Sequence, residues 1–185
     1  MIRLIAAGDR RVMRRVNQWA APGWIRQWMV AASRAGDGWL WMALGFGLLL
    51  FGGERRFDAL ITGLVSVGAG LILFFLLKRI TGRERPCTTE THCWAKLLPP
   101  DRFSFPSGHT ITAFAIALPI GLYFPLLLPG LVFCALSIAS SRIVLGLHYL
   151  SDVLAGMLIG CTIGVASFSL VALAWLLLDW LAPGL

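Results

Sequence analysis

Charge is scarce in this sequence. Nine Asp and Glu, sixteen Lys and Arg and three His are spread over 185 residues, so 14% of the chain is charged while 58% is hydrophobic. So few polar side chains cannot coat a water-soluble domain, which excludes the soluble classes and marks an integral membrane protein. Cysteine is also thin, with four residues, too few for a disulfide scaffold. Cys134 and Cys161 fall inside apolar runs as packing residues, whereas Cys87 and Cys93 share one polar loop and would pair if that loop faced an oxidising compartment. The first nine residues, MIRLIAAGD, lack the apolar core of a cleavable signal peptide.

What the chain does have is long uncharged runs, at 38–53, 59–77, 103–141 (interrupted only by His109) and 153–178. About 20 apolar residues are needed to cross the hydrocarbon core. The third run has room for two crossings, with Pro119, Pro125 and Pro129 marking the turn; the first is short and must borrow from 28–37 or tilt little. The expectation is an all-α, polytopic membrane bundle of five to six spans forming a single domain over 1–185. Residues 9–33 read as an amphipathic helix at the interface: Arg10, Arg11, Arg14, Arg15 and Gln18 make a polar side, and Val12, Met13, Val16 and Trp19 a lipid-facing one. The same arginines serve equally as a positive flank that orients the first span. Trp19, Trp24, Trp28, Trp39 and Trp41 suit an interfacial aromatic belt.

The formal net charge of +7 lies beside hydrophobic spans, so anionic membrane lipid, and not nucleic acid, is the expected partner. In the last run Gly156, Gly160 and Gly164 put a small residue at every fourth position. Such a stripe lets another helix approach closely, either in a second copy (a homo-oligomer) or within the chain.

Three polar clusters mark the ends of spans. The first is KRITGRERP at 78–86, where Lys78 and Arg85 stand two helical turns apart and share a face if the segment stays helical; Pro86 favours an extended Arg85 and a break. The second is PSGH at 106–109. If a helix starts there, its free N–H groups form an anion site, Gly108 permits close backbone approach, Ser107 offers a hydroxyl, and His109 stands at the anion's edge. The third is SRIVLGLHYLSD at 141–152. Arg142 brings a fork suited to phosphate oxygens. His148 and Asp152, one turn apart, allow the carboxylate to accept from one imidazole nitrogen and leave the other as a nucleophile or base. Each cluster alone has a bland reading: a basic membrane edge, a capped helix start, a structural His–Asp pair. The His–Asp pair could also bind metal, although two histidines and one Asp, with no Cys or second carboxylate at ligand spacing, make a thin metal set. Together, three cations, a glycine-softened helix start and two histidines describe a phosphate site.

Lys78 followed by six residues and Arg85-Pro86, then Pro106-Ser107-Gly108-His109, then Ser141-Arg142, five residues, His148, three residues and Asp152, resembles the signature of the type 2 phosphatidic acid phosphatase superfamily. Every signature position is filled, in order, over residues 78–152; residues 1–35 are not covered. The resemblance implies a six-helix membrane fold and a phosphatase needing neither metal nor cofactor. It implies that His148 is phosphorylated, Asp152 orients it, His109 protonates the leaving oxygen, and Lys78, Arg85, Ser107, Gly108 and Arg142 hold the phosphoryl oxygens. The expected substrate is a lipid phosphomonoester or diphosphate of polyprenyl diphosphate, phosphatidylglycerol phosphate, phosphatidate or lipid A phosphate type. A lipid phosphotransferase with a polyprenyl diphosphate donor and a non-catalytic lipid-binding subunit are the alternatives. The chain departs from the family's layout in showing two convincing spans before the first cluster, where six-span members have three. The family implies a site on the outer, periplasmic face of a bacterial inner membrane, although seven arginines precede the first span and the positive-inside rule would place them in the cytoplasm.

Overall fold

The computed structural model describes residues 2–89 and 102–181. Among these the structure is all helical. The order is α1 (Ile2–Gln18), α2 (Gly23–Ala35), α3 (Trp39–Phe51), α4 (Arg56–Thr81), the short α5 (Pro86–Thr89), α6 (Gly108–Tyr123), α7 (Leu128–Val144) and α8 (Leu150–Leu181). Three helical segments, Gly53–Thr81, Pro125–Val144 and Leu150–Leu181, are long and apolar enough to cross a membrane; Trp39–Phe51 and Gly108–Tyr123 are apolar but shorter. These five occupy the expected runs, and the protein is an integral membrane protein.

Helix α6 is the axis of the bundle. It packs on α8, α4 and α7, and Ile111, Ala113, Phe114, Ala115, Ala117 and Ile120 are all buried. A helix apolar on every side is stable only when surrounded, and the small residues of α6 allow its neighbours to come close. The glycine stripe of α8 is the clearest case. A Cβ on Gly156 would lie 2.8 Å from Ser107 O, one on Gly160 2.5 Å from Ile111 O, and one on Gly164 2.9 Å from Pro119 Cδ. The stripe is therefore covered by α6 of the same chain, and the homo-oligomer drawn through Gly156, Gly160 and Gly164 is corrected to an intramolecular seam.

Three further expectations change. The interfacial helix expected over 9–33 is two helices, because Pro22 has no N–H to continue a ladder and the chain breaks over Trp19–Pro22. Met13, expected to face lipid, is fully buried, and α1 packs on α7 and α8. Trp41 is likewise buried, while Trp19, Trp24, Trp28 and Trp39 are exposed. Helix α3 borrows nothing from 28–37: α2 ends at Ala35, and Gly38, with φ +121, starts a new direction. The turn between α6 and α7 falls at Phe124–Leu127, leaving Pro119 inside α6 and Pro129 in the first turn of α7.

Candidate active site

The three polar clusters meet at one end of the bundle, and each is delivered by a local device. Helix α4 ends at Gly82, whose φ of +55 is the left-handed cap that glycine takes without strain. Beyond it the chain is extended: Glu84 pairs with Phe103 as an isolated antiparallel bridge, and Ser104 N donates to Arg83 O at 2.7 Å. Lys78 and Arg85 therefore do not share a helical face. Lys78 lies in the last turn of α4 with its Nζ 4.4 Å from the centre of the Phe74 ring, and Arg85 reaches the same cavity from the extended segment beyond it.

The PSGH cluster starts α6 at Gly108, with Ser107 in an extended conformation as its N-cap. The Ser107 hydroxyl makes no cap bond; its Oγ lies 2.9 Å from Thr110 Oγ1, fully buried. Gly108 is needed for space, since a Cβ there would press into the Phe74 ring at 2.9 Å. The missing side chain thus lets Phe74, the platform of Lys78, lie against the helix start.

At the end of α7 the carbonyl of Arg142 accepts from both Leu147 N and His148 N at 3.0 Å, and Gly146 supplies the positive φ (+69) that turns the chain. This reversal places His148 in a non-helical link, only 2% exposed. Its Nδ1 donates to Ser104 O at 2.6 Å, and its Nε2 accepts from Arg85 Nη1 at 3.0 Å. Here the one-turn spacing is corrected. Asp152 Oδ2 is 3.8 Å from Nδ1, because its oxygens are taken by Tyr149 N (2.8 Å) and Arg83 Nη1 (2.7 Å). Asp152 occupies the third position of α8 and reaches back to the residue preceding the helix, half of a capping box. A backbone carbonyl fixes the tautomer, and the carboxylate contributes its field from behind. Burial, helped by the Arg85 and Arg142 charges and opposed by Asp152, pushes the His148 imidazole down to about 4. The ring is neutral at pH 7, with its Nε2 lone pair directed at the cations.

Lys78, Arg85, Gly108, His109, Arg142 and His148 line one cavity of about 550 Å³, with Val67, Leu71, Phe74, Phe75 and Thr112 on its apolar side. Gly38, Val67 and Thr112 also line an adjoining apolar groove of about 400 Å³ between α3, α4 and α6. Ser107 and Asp152 stand behind the cavity wall. Among the described residues no three His, Cys, Asp or Glu side chains converge as a metal-ligand set.

Four polar residues escaped the sequence reading. Ser33 accepts from Arg142 Nη1 at 2.6 Å, and Asp37 Oδ1 is 2.7 Å from His109 Nε2. Arg83 bridges two carboxylates, giving Nη1 to Asp152 and Nη2 to Asp9 Oδ2 at 2.6 Å, and stacks its guanidinium 4.1 Å from the Tyr149 ring centre. Asp9, 3% exposed, also accepts from Ser151 N and Ser151 Oγ. Burial raises the Asp9 pKa, but the Arg83 and Ser151 bonds outweigh it and hold the carboxyl below its ordinary value. Each of these partners comes from far along the chain. The one local signal was that Asp9 and Asp37 are two of only nine acidic residues.

A neutral, aimed imidazole facing gathered cations is what phosphoryl transfer requires, and at the end of an apolar bundle it defines a membrane phosphatase. The chain belongs to the PAP2 superfamily, whose family model matches residues 59–176. It is 37% identical over 127 residues to the decaprenylphosphoryl-5-phosphoribose phosphatase of Mycobacterium tuberculosis, covering 69% of this chain and 68% of the relative. It is 31% identical to the lipid A 1-phosphatase of Rhizobium johnstonii over 65% of this chain and 57% of that one. Among solved structures, Aquifex aeolicus LpxE superposes with a TM-score of 0.69 at 26% identity, over 86% of this chain and 93% of that one. The PAP2-type phosphatidylglycerolphosphate phosphatase of Bacillus subtilis shares the fold, with a TM-score of 0.70 at 22% identity over 90% and 86%.

Proposed function

We propose that the protein hydrolyses a lipid phosphomonoester or diphosphate through a phosphohistidine at His148. The observation that carries this reading is the placement of His148: Nδ1–H is bonded to Ser104 O and Nε2 points at Arg85 on the cavity that Lys78, Arg142 and His109 also line. In the first step the Nε2 lone pair forms the N–P bond. The bond from phosphorus to the leaving oxygen breaks, and that oxygen takes a proton from His109. In the second step water attacks phosphorus, gives a proton to His109, and the N–P bond breaks to release phosphate. Lys78, Arg85 and Arg142, with the amides at the start of α6, neutralise the charge that builds on the non-bridging oxygens. The adjoining apolar groove takes the substrate's hydrocarbon, as a lipid requires.

The substrate class follows the relatives: polyprenyl-linked phosphates, lipid A phosphate and glycerophospholipid phosphates present the same group to the cradle. The site faces the outer side of a bacterial inner membrane. The arginine-rich α1 and α2 lie on the catalytic side, where Asp9 and Ser33 bind it, so their position follows from docking to the site and not from charge-guided insertion. The pairing of Cys87 with Cys93 in this outer loop belongs to the same proposal; Cys93 lies outside the described residues. Phosphate release by purified protein from a panel of these lipids, with His148→Ala as control, tests the activity. Release by the wild type alone supports it; equal release by both would overturn the mechanism, and transfer to a lipid acceptor in place of water would reassign the reaction. An impermeant thiol reagent on intact cells tests the topology. Labelling only after reduction supports an outward, bonded loop, and labelling only after permeabilisation refutes it.

A further inference from the structure

We infer that Asp37 is a positioning residue for His109, supplied to the active site by a segment that precedes the PAP2 match and built into it by two glycines. This rests on the phosphatase reading above and deepens it. The carboxylate stands in the Gly36–Asp37–Gly38 link between α2 and α3, with Oδ1 2.7 Å from His109 Nε2. Both flanking glycines are required by geometry. A Cβ on Gly36 would meet Ile138 Cγ2 at 2.9 Å and His109 Cδ2 at 3.1 Å, so glycine is what lets the link close onto the imidazole edge. Gly38 has a φ of +121, a conformation that L side chains rarely adopt. Asp37 N donates to Arg34 O at 3.0 Å, fixing the link to α2, and the neighbouring Ser33 accepts from Arg142. The end of α2 is thus docked to two members of the cavity, and the acidic side chain in it lies against the one group there whose task is to move a proton.

The chemistry explains why a carboxylate belongs among cations. His109 shares its cavity with Lys78, Arg85 and Arg142, and a field of positive charges opposes an imidazolium. A carboxylate bonded to one ring nitrogen stabilises the cationic ring, fixes its orientation and leaves the other nitrogen to exchange the proton. In the first half-reaction the ring gives its proton to the departing oxygen as the P–O bond breaks. In the second it recovers one from the attacking water. Asp37 itself bonds neither to phosphorus nor to the leaving group.

The test compares two substrates whose leaving groups differ in their need for a proton: p-nitrophenyl phosphate, whose p-nitrophenolate departs as a stable anion, and a long-chain alkyl phosphate, whose alkoxide must be protonated as it leaves. Both are measured with the full-length protein in detergent. Asp37→Asn should slow phosphoenzyme formation, followed by rapid quench, by about tenfold to a hundredfold on the alkyl ester, part of the range general acid catalysis supplies, while leaving phosphoenzyme formation from the aryl ester little changed. Asp37→Glu should recover most of the alkyl rate. Because Asp37 is more than half exposed, the unfolding temperature of Asp37→Asn should match that of the wild type. Equal loss on both esters, no loss on either, or a gain in rate would each overturn the inference while leaving the phosphatase reading standing. A wild type that releases phosphate from neither ester would overturn both.

Discussion

The two active-site histidines are held in opposite ways. His148 is 2% exposed and fixed by main chain: the Ser104 carbonyl holds its Nδ1, and the Arg142 carbonyl holds its amide. His109 has a side chain 22% exposed, rides on the first turn of α6, and is bonded to a carboxylate that is itself 56% exposed. A nucleophile must meet phosphorus along one line, and backbone contacts define that line with no rotamer freedom to lose. An acid must change protonation twice per turnover, which a pocket open to water permits and a sealed one hinders. On the proposed mechanism, the closed half of the site sets geometry and the open half handles protons.

The strongest way to break this comparison is to remove each ring. His148→Ala should abolish turnover and any acid-labile phosphoenzyme, followed by incorporation of labelled phosphate; full activity would end the assignment. His109→Ala should cost about 10²- to 10⁴-fold in kcat, the range of general acid–base catalysis, yet still accumulate phosphoenzyme from a substrate with a good leaving group. Rapid-quench measurements separate the two. Next comes the support behind the closed half. Asp9→Ala strips Arg83 of one of its two carboxylates, and breaking a buried pair typically costs about 3 kcal/mol. Arg83 is 27% exposed, so the loss should fall below that figure, read as a lower unfolding midpoint in detergent. The pH profile then sharpens the contrast. A free imidazole titrates near 6.5, but burial holds His148 near 4, and only protonation removes its lone pair. Activity corrected for substrate ionisation should therefore lose its nucleophile only as pH falls towards about 4; a loss centred near 6.5 would show that His148 is not sealed. The smallest effect is expected from chelation. With charge neutralisation assigned to Lys78, Arg85 and Arg142, EDTA should leave the rate nearly unchanged, whereas vanadate should inhibit.

Much of the bundle was legible because membrane helices announce themselves by composition, and the runs at 59–77 and 153–178 fall inside α4 and α8. Two of the polar clusters were legible because each is local: Arg142 and His148 belong to one turn, and PSGH does begin a helix. Two kinds of feature were not. Local spacing suggested an Asp152–His148 bond, but Arg83, 69 residues away, claims the same carboxylate, and spacing along one helix carries no information about such a rival. Asp9, Ser33 and Asp37 were invisible for the same reason, since their partners lie 74, 109 and 72 residues off. The glycine stripe was correctly seen as a seam, but which helix fills a seam is decided by tertiary packing, and here Ser107, Ile111 and Pro119 of the same chain do so.

The ties of Asp9 also bear on how the protein is made. Its ligands, Arg83 and Ser151, lie 74 and 142 residues further along the chain, so this part of α1 lacks these partners until the end of α4 and the start of α8 are in place. Helix α1 is thus locked only after the segments that follow it. Contacts this distant in sequence form late because the intervening chain must be ordered first. Completion of the Asp9–Arg83–Asp152 bridge therefore ties α1, the link after α4 and the start of α8 together in one step of folding.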